Sequence, residues 1–292
     1  MDSFEGKIAV VTGAGTGMGR ELALQLAAAG ANLALCDVNA ENLASTAERC
    51  RAHDPSLTVS TAEVDVTDEA ALERFRDATM AEHATDHIHL LFNNAGIGGT
   101  ASFLDPEARK TWERTFDVCW QGVYLTSRVF LPLVVAAAEG HVINTSSING
   151  IWASLGPSRT HTAYSAAKFA VRGFTEALIT DLRLNAPHVR CSVVMPGHIG
   201  TDIVTNSRQI LDGELDAEAT EIANAFRNEA PTTAATAATV ILDGVREGRW
   251  RILIGEDAAV LDGLLRDQPE NAYEQDFVDQ LHAMGVLNGL VG

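Results

Sequence analysis

"VVTGAGTGMGREL", residues 10–22, joins an apolar run to a helix-like stretch through a glycine-rich turn. Gly13, Gly17 and Gly19 form the pattern TGxxxGxG, with Gly15 as an additional small residue. Glycine lets the backbone turn tightly and come close to a ligand. A pyrophosphate at such a turn meets free N–H groups and the positive end of a helix dipole. Glycines alone do not decide the matter, because any tight turn draws on them. The context does: an apolar run before, a helical pattern after, and Asp37 at the end of the next apolar run.

Asp37 lies 24 positions after Gly13, where an acid that holds ribose hydroxyls is expected. Its plainer role is a turn or cap before "NAENLAS" (39–45). A carboxylate there accepts hydrogen bonds from a 2′-hydroxyl and repels a 2′-phosphate. Val38, Asn39 and Thr16 supply no compensating cation, so the pattern favours NAD over NADP. The same strand–helix–strand unit also suits a methyltransferase using S-adenosylmethionine, whose acid holds a ribose in a similar way.

Working outward, short apolar runs recur at 7–13, 31–37, 58–65, 88–96, 140–146, 189–197 and 250–255. Helix-like stretches lie between them at about 18–29, 40–52, 68–83, 107–138, 163–185 and 232–247. Strands alternating with helices imply right-handed crossovers and a mostly parallel sheet covered on both faces. No Pro- or Gly-rich linker divides the 292 residues, so one domain, 1–292, is the simplest expectation. Two segments exceed a minimal sheet. Residues 198–230 read as a substrate lid beside the strand ends. Residues 256–292 continue with helical apolar spacing and read as a packing or oligomer element.

The 39 acidic and 21 basic residues give a net charge of −18, which disfavours nucleic-acid backbones and anionic lipid. Four scattered cysteines, Cys36, Cys50, Cys119 and Cys191, form no CxxC and fit a reducing, cytoplasmic setting. The N-terminal "MDSFEGKIAVVTG" lacks the layout of a signal peptide, and no uninterrupted apolar run reaches bilayer-spanning length. His87 and His89 alternate, but no third ligand is spaced to complete a metal site, and none is expected.

"TAYSAAKFAV" (162–171) sets Tyr164 and Lys168 four apart, on one helix face. On a surface such a pair is decoration. Beside a ligand it places an ammonium next to a phenol. At about 4 Å and an effective dielectric of about 20, the cation contributes roughly 4 kcal/mol, or about three pKa units.

In order along the chain stand "TGAGTGMG" (12–19), Asp37, "DV" (65–66), "NNAG" (93–96), "NTSS" (144–147), "YSAAK" (164–168) and "PGHIGT" (196–201). Together they resemble the short-chain dehydrogenase/reductase family, in its compact branch, over roughly the first 255 residues. The resemblance implies a Rossmann-type α/β fold: a doubly wound, mostly parallel seven-stranded sheet with helices on both faces. It implies an NAD-dependent oxidoreductase interconverting a secondary alcohol and a ketone. Tyr164 would be the general acid/base, Lys168 its electrostatic partner and ribose anchor, and Ser147 the substrate-oxygen binder. Ser146 would be a structural strand-end residue.

Cofactor contacts would come from Gly13, Gly17, Met18, Gly19, Asp37, Asp65, Val66, Asn94, Tyr164, Lys168, Ile199 and Thr201. The substrate would be small, neutral and apolar, and the chain a homodimer or homotetramer. The family usually has Asn where this chain has Cys119, a residue thought to complete a proton relay. A sensor or scaffold of the same fold, with turnover lost through Cys119, is therefore the second expectation. Ser147 lies 17 residues before Tyr164, more than the family usually shows. The intervening loop offers Trp152 and Leu155 as apolar wall residues or reads as an ordinary exposed turn. His161 lines the site or caps its helix, and Trp112 and Trp120 read as helix core or subunit interface.

Overall fold

The first apolar run forms strand β1 (Ile8–Thr12), buried at every position, as a strand covered on both faces must be. The computed structural model of the chain describes residues 1–99, 102–154, 160–211 and 216–286. After β1 come α1 (Gly17–Ala28), β2 (Asn32–Asp37), α2 (Ala40–His53), β3 (Val59–Glu63), α3 (Glu69–Glu82) and β4 (Leu90–Asn93). The second half holds α4 (Arg109–Phe116), α5 (Gly122–Ala136), β5 (Gly140–Thr145), α6 (Thr162–Asn185) and β6 (Val189–Pro196). Then follow β7 (Ile199–Gly200), α7 (Ile203–Leu211), α8 (Ala217–Asn228), β8 (Thr232–Thr233), α9 (Ala234–Glu247), β9 (Arg251–Ile254), α10 (Glu256–Asp267) and α11 (Gln275–Ala283).

Seven strands make one parallel sheet in the order β3-β2-β1-β4-β5-β6-β9; β7 and β8 pair separately. Helices α1, α2 and α9 bury Leu22, Leu26, Leu43 and Ile241 on one face. Helices α3, α5 and α6 bury Leu72, Phe75, Phe130 and Leu178 on the other. The fold is the doubly wound, Rossmann-type sheet expected from the motifs. The chain winds outward from β1 to β3 and then starts again at β4. That reversal opens a crevice at the carboxyl ends of β1 and β4.

A buried polar chain crosses the sheet below this crevice. Asn93 Nδ2 donates to Ser127 Oγ at 3.0 Å and to Asn144 Oδ1 at 2.7 Å. Asn144 Nδ2 donates to Thr175 Oγ1 at 3.0 Å, and Thr175 donates to the Val171 carbonyl at 2.6 Å. These bonds tie β4 and β5 to α5 and α6.

Two expectations change. The stretch expected as one helix over 107–138 divides into α4 and α5 around a π turn at Asp117–Gln121, which contains Cys119. The helical run Pro106–Ala136 is also long and apolar enough to cross a bilayer by composition, although half of its apolar window is buried inside the protein. Trp152 is not a wall of the site. It is buried beneath α10 and α11 with Ile148, Leu261, Phe277 and Leu281, and its Nε1 donates to the Ala272 carbonyl at 2.7 Å. Helices α10 and α11 pack on that side. Leu155 lies outside the described residues.

His89 Nδ1 accepts the Ile8 N–H at 3.1 Å, which removes it from ligation. Burial, then the nearby Lys7 charge, pushes its pKa down to about 4. Burial, then Arg190, pushes that of His141 down to about 3. Both rings stay neutral in the fold, while the unfolded chain takes up protons below about pH 6.5. Stability from each ring is thus full above about pH 6.5 and falls by about 1.4 kcal/mol per pH unit below it. Urea unfolding at about pH 7 and about pH 5.5 checks this: His141→Gln should lose about 1 kcal/mol less than the parent between the two.

Candidate active site

The crevice is built first from main chain. Gly13 has φ +64°, and a side-chain carbon there would lie 2.8 Å from Ala95 Cα. On Gly19 such a carbon would lie 2.0 Å from the Gly13 carbonyl oxygen. Helix α1 therefore packs directly on the loop that precedes it. No side chain caps its N-terminus, so its first N–H groups are left for a ligand. Arg20, which sequence reading passed over, donates to the Gly15 carbonyl and, at 3.1 Å, to Thr46 Oγ1.

Asp37 ends β2 with its carboxylate at the same loop. Oδ2 accepts from Gly15 N at 2.8 Å and Oδ1 from Asn39 N at 2.9 Å. Asn94 holds the loop from the other side, donating to the Thr12 and Gly13 carbonyls at 3.1 and 3.3 Å. Its Oδ1 is buried without a hydrogen-bond partner. Asp65 is paired by a residue that sequence reading also passed over. Arg114 Nη2 reaches Asp65 Oδ2 at 2.6 Å and Nη1 reaches Thr67 Oγ1 at 2.9 Å. Burial alone would raise the Asp65 pKa, but the Arg114 and Thr67 bonds hold it below the usual carboxylate range. Nothing in the sequence pointed to Arg114, because its partner lies 49 residues away.

A cavity of about 310 Å³ occupies the crevice. Gly13, Gly17, Met18, Asp37, Asp65, Val66, Asn94 and Thr201 all line it. Gly19 does not, since it is packed on Gly13, and the Ile199 side chain is buried in the core. Of the segment expected as a lid, helix α7 reaches this cavity. Ile203, Asn206, Gln209 and Ile210 of α7 line it. Asn206 Nδ2 donates to Thr16 Oγ1 at 2.8 Å, and Gly98 N donates to Ser207 Oγ at 2.7 Å.

Lys168 stands beside Gly96 of the cavity wall, but Tyr164, Lys168 and Ser147 are not themselves among the described lining residues. A side-chain carbon on Gly96 would lie 3.5 Å from Lys168 Nζ and 3.8 Å from Cys119 Sγ. Lys168 is buried, and its Nζ donates to the Thr145 carbonyl at 3.0 Å while lying 5.4 Å from the centre of the Tyr164 ring. Ser147 hydrogen-bonds the Tyr164 hydroxyl and accepts from Asn149 N at 3.1 Å. Ser146 instead donates to the Lys168 carbonyl at 2.7 Å, fixing α6 against the end of β5. Cys119 is fully buried and donates to the Ile97 carbonyl at 3.1 Å.

The expected downward shift of the Tyr164 phenol does not dominate here. Burial raises its pKa, the Lys168 charge opposes that, Cys119 adds to it, and the Ser147 bond opposes it; the net direction is upward. The cation has the expected sign, but the low-dielectric surroundings of the ring outweigh it.

The family model for short chain dehydrogenases matches residues 7–211. The chain belongs to the short-chain dehydrogenase family. SadH of Mycobacterium tuberculosis, described only as an oxidoreductase, is 40% identical over 266 residues, 91% of this chain and 92% of SadH. Levodione reductase of Leifsonia aquatica is 32% identical over 218 residues, covering 75% of this chain and 79% of its own. The crystal structure of a short-chain dehydrogenase/reductase from Burkholderia phymatum, in complex with NAD, matches with a TM-score of 0.80 and 31% identity. That match covers 92% of this chain and 96% of the other.

This short-chain dehydrogenase is an oxidoreductase, and its fold binds a nicotinamide dinucleotide. The methyltransferase alternative falls with that membership. The residues present fit the group: an uncapped helix N-terminus and the Asp37 carboxylate, both on the wall of one cavity. Gly19→Ala tests the loop. Overpacking against Gly13 should weaken NADH and NADPH binding at least about tenfold and cost about 1–3 kcal/mol of stability, read by calorimetry and denaturant unfolding.

Proposed function

We propose that this short-chain dehydrogenase uses NAD to interconvert a small, neutral, apolar secondary alcohol and the corresponding ketone. One observation supports the reading: the Tyr164 phenol has Ser147 hydrogen-bonded to it and the Lys168 ammonium 5.4 Å from its ring centre, and that ammonium adjoins Gly96 of the cavity wall. In reduction, the phenol gives its proton to the ketone oxygen while the Ser147 hydroxyl donates a hydrogen bond to the developing alkoxide. The nicotinamide ring supplies or accepts the hydride when bound. Lys168, held on the Thr145 carbonyl, then steadies the tyrosinate. In alcohol oxidation the phenol must first lose its proton, so the raised Tyr164 pKa favours oxidation at alkaline pH and leaves reduction active at neutral pH.

The preference for NAD rests on Asp37. A 2′-phosphate would meet its carboxylate, and Arg114, the basic side chain among the described lining residues, is already engaged by Asp65 and Thr67. The proposed arrangement is one domain with α7 and α8 as its lid. A homo-oligomer built through α5 and α6 belongs to the same reading, supported by Trp120 in ring contact with Tyr124 and Phe174, and by the exposure of Tyr124 and Phe169. A reducing, cytoplasmic setting is supported by four cysteines buried as free thiols.

The alternative, a dinucleotide sensor or scaffold without turnover, is favoured by Cys119, which brings a thiol where the family usually has an amide. One measurement separates the readings, and a second tests the cofactor preference. Tyr164→Phe should lower turnover of secondary alcohols with NAD⁺ by about 10²–10⁴-fold while NADH affinity stays within about threefold; a parent chain that binds NADH but turns over no secondary alcohol or ketone supports the sensor. Calorimetric titration should give clear preference for NADH over NADPH, and Asp37→Ala should narrow it. A parent that prefers NADPH would overturn the role given to Asp37.

A further inference from the structure

The family match ends at Leu211, yet the chain after β9 reaches back to the site. Asp257 sits in the first turn of α10 and is 5% exposed. Its Oδ2 accepts from the His198 N–H at 2.6 Å. Its Oδ1 is buried without a hydrogen-bond partner. The turn after β6 is moulded around this carboxylate. A side-chain carbon on Gly197 would lie 2.2 Å from both Asp257 oxygens, and one on Gly255, at φ +97°, would lie 2.2 Å from Oδ1. Gly197 N donates to the Ile254 carbonyl at 2.9 Å, so β9 holds the same turn by its main chain.

From that turn the chain runs straight into the cavity. His198 Nε2 donates to the Phe226 carbonyl at 2.7 Å, and the two rings lie 4.4 Å apart, which joins the turn to α8 of the lid. Three residues on, Thr201 lines the cavity, and its Cγ2 lies 3.2 Å from where a side-chain carbon on Gly17 would be. A buried carboxylate with one oxygen unpartnered is a poor contributor to stability, and an apolar residue of similar size would pack the space as well. What the carboxylate adds is a fixed acceptor that pins one N–H of a mobile kind of element, a glycine-led turn, at a set distance from the cavity.

We infer that Asp257 is a positioning residue for the nicotinamide end of the bound cofactor, acting through the Gly197–His198 turn on Thr201. The inference rests on the reading of the cleft given above. The adenine and ribose end is formed by Asp37 and Asp65, after β2 and β3, whereas the Gly197–His198 turn follows β6, which pairs with β5 and so ends on the Ser147 side of the sheet. Asp257 should therefore separate two ligands that differ only in the nicotinamide: ADP-ribose and NADH.

The experiment is calorimetric titration of the full chain and of Asp257→Ala and Asp257→Asn with each ligand. Asp257→Ala should leave ADP-ribose affinity within about twofold and weaken NADH about tenfold. Asp257→Asn keeps an acceptor for the His198 N–H and should recover most of the NADH affinity. Equal loss of both ligands, or of neither, overturns the inference and makes Asp257 a structural residue. A parent chain that binds neither ligand overturns the cleft reading itself. Should Asp257→Ala fail to fold, amide hydrogen exchange on the parent decides. Exchange at residues 255–260 should slow with NADH and not with ADP-ribose; equal slowing, or none, counts against the inference.

Discussion

The hydroxyl of Thr12 is the interaction on which the cleft depends. It accepts the N–H groups of Asn94 and Ala95, each at 3.0 Å, from the last residue of β1. Parallel neighbours end side by side, and where the winding reverses nothing else in the ladder ties their outgoing loops together. With Thr12 in place, the glycine loop and the NNAG segment leave the sheet at fixed spacing. Asn94 completes the tie by returning its amide to the Thr12 and Gly13 carbonyls. The two loops thus hold each other, and the α1 N-terminus is aimed into the space between them.

The proton-handling end is built on a different balance. Lys168 is buried with one hydrogen bond to the Thr145 carbonyl, and Tyr164 is packed so that burial outweighs the attraction of the ammonium. The two groups are neighbours because they stand four apart on α6, and α6 is locked against the sheet by Ser146 on the Lys168 carbonyl and by Thr175 in the polar chain. The π turn at Asp117–Gln121 brings Cys119 to the same spot from α4 and α5. A turn of that type widens the helical ladder locally, and it is commonest where a helix passes a functional site.

Much of this was readable from the chain alone, for a physical reason. Strand–helix alternation and the TGxxxGxG turn are local patterns, so β1, α1, β2 and the position of Asp37 follow from spacing. The choice of Ser147 over Ser146 rests on the family resemblance and not on local spacing; Ser146 donates to the Lys168 carbonyl. What escaped depends on contacts between distant segments. Arg114 meets Asp65 across 49 residues, and Trp152 meets Ala272 across 120. Trp152 reads as an exposed-loop aromatic until α10 and α11 are placed over it. The direction of the Tyr164 shift was equally out of reach, because it is set by how much of the fold surrounds the ring and not by the four-residue spacing to Lys168.

The polar chain through Asn93, Asn144 and Thr175 has a consequence for divergence among related sequences. Each amide donates to the next member, so replacing one residue strands a buried donor or acceptor on its neighbour, whereas replacing all of them with apolar groups strands none. Intermediate combinations are the unfavourable ones. Lineages descending from this sequence should therefore keep the three positions together or change them together, and the register of α6 against β5 should vary with that choice.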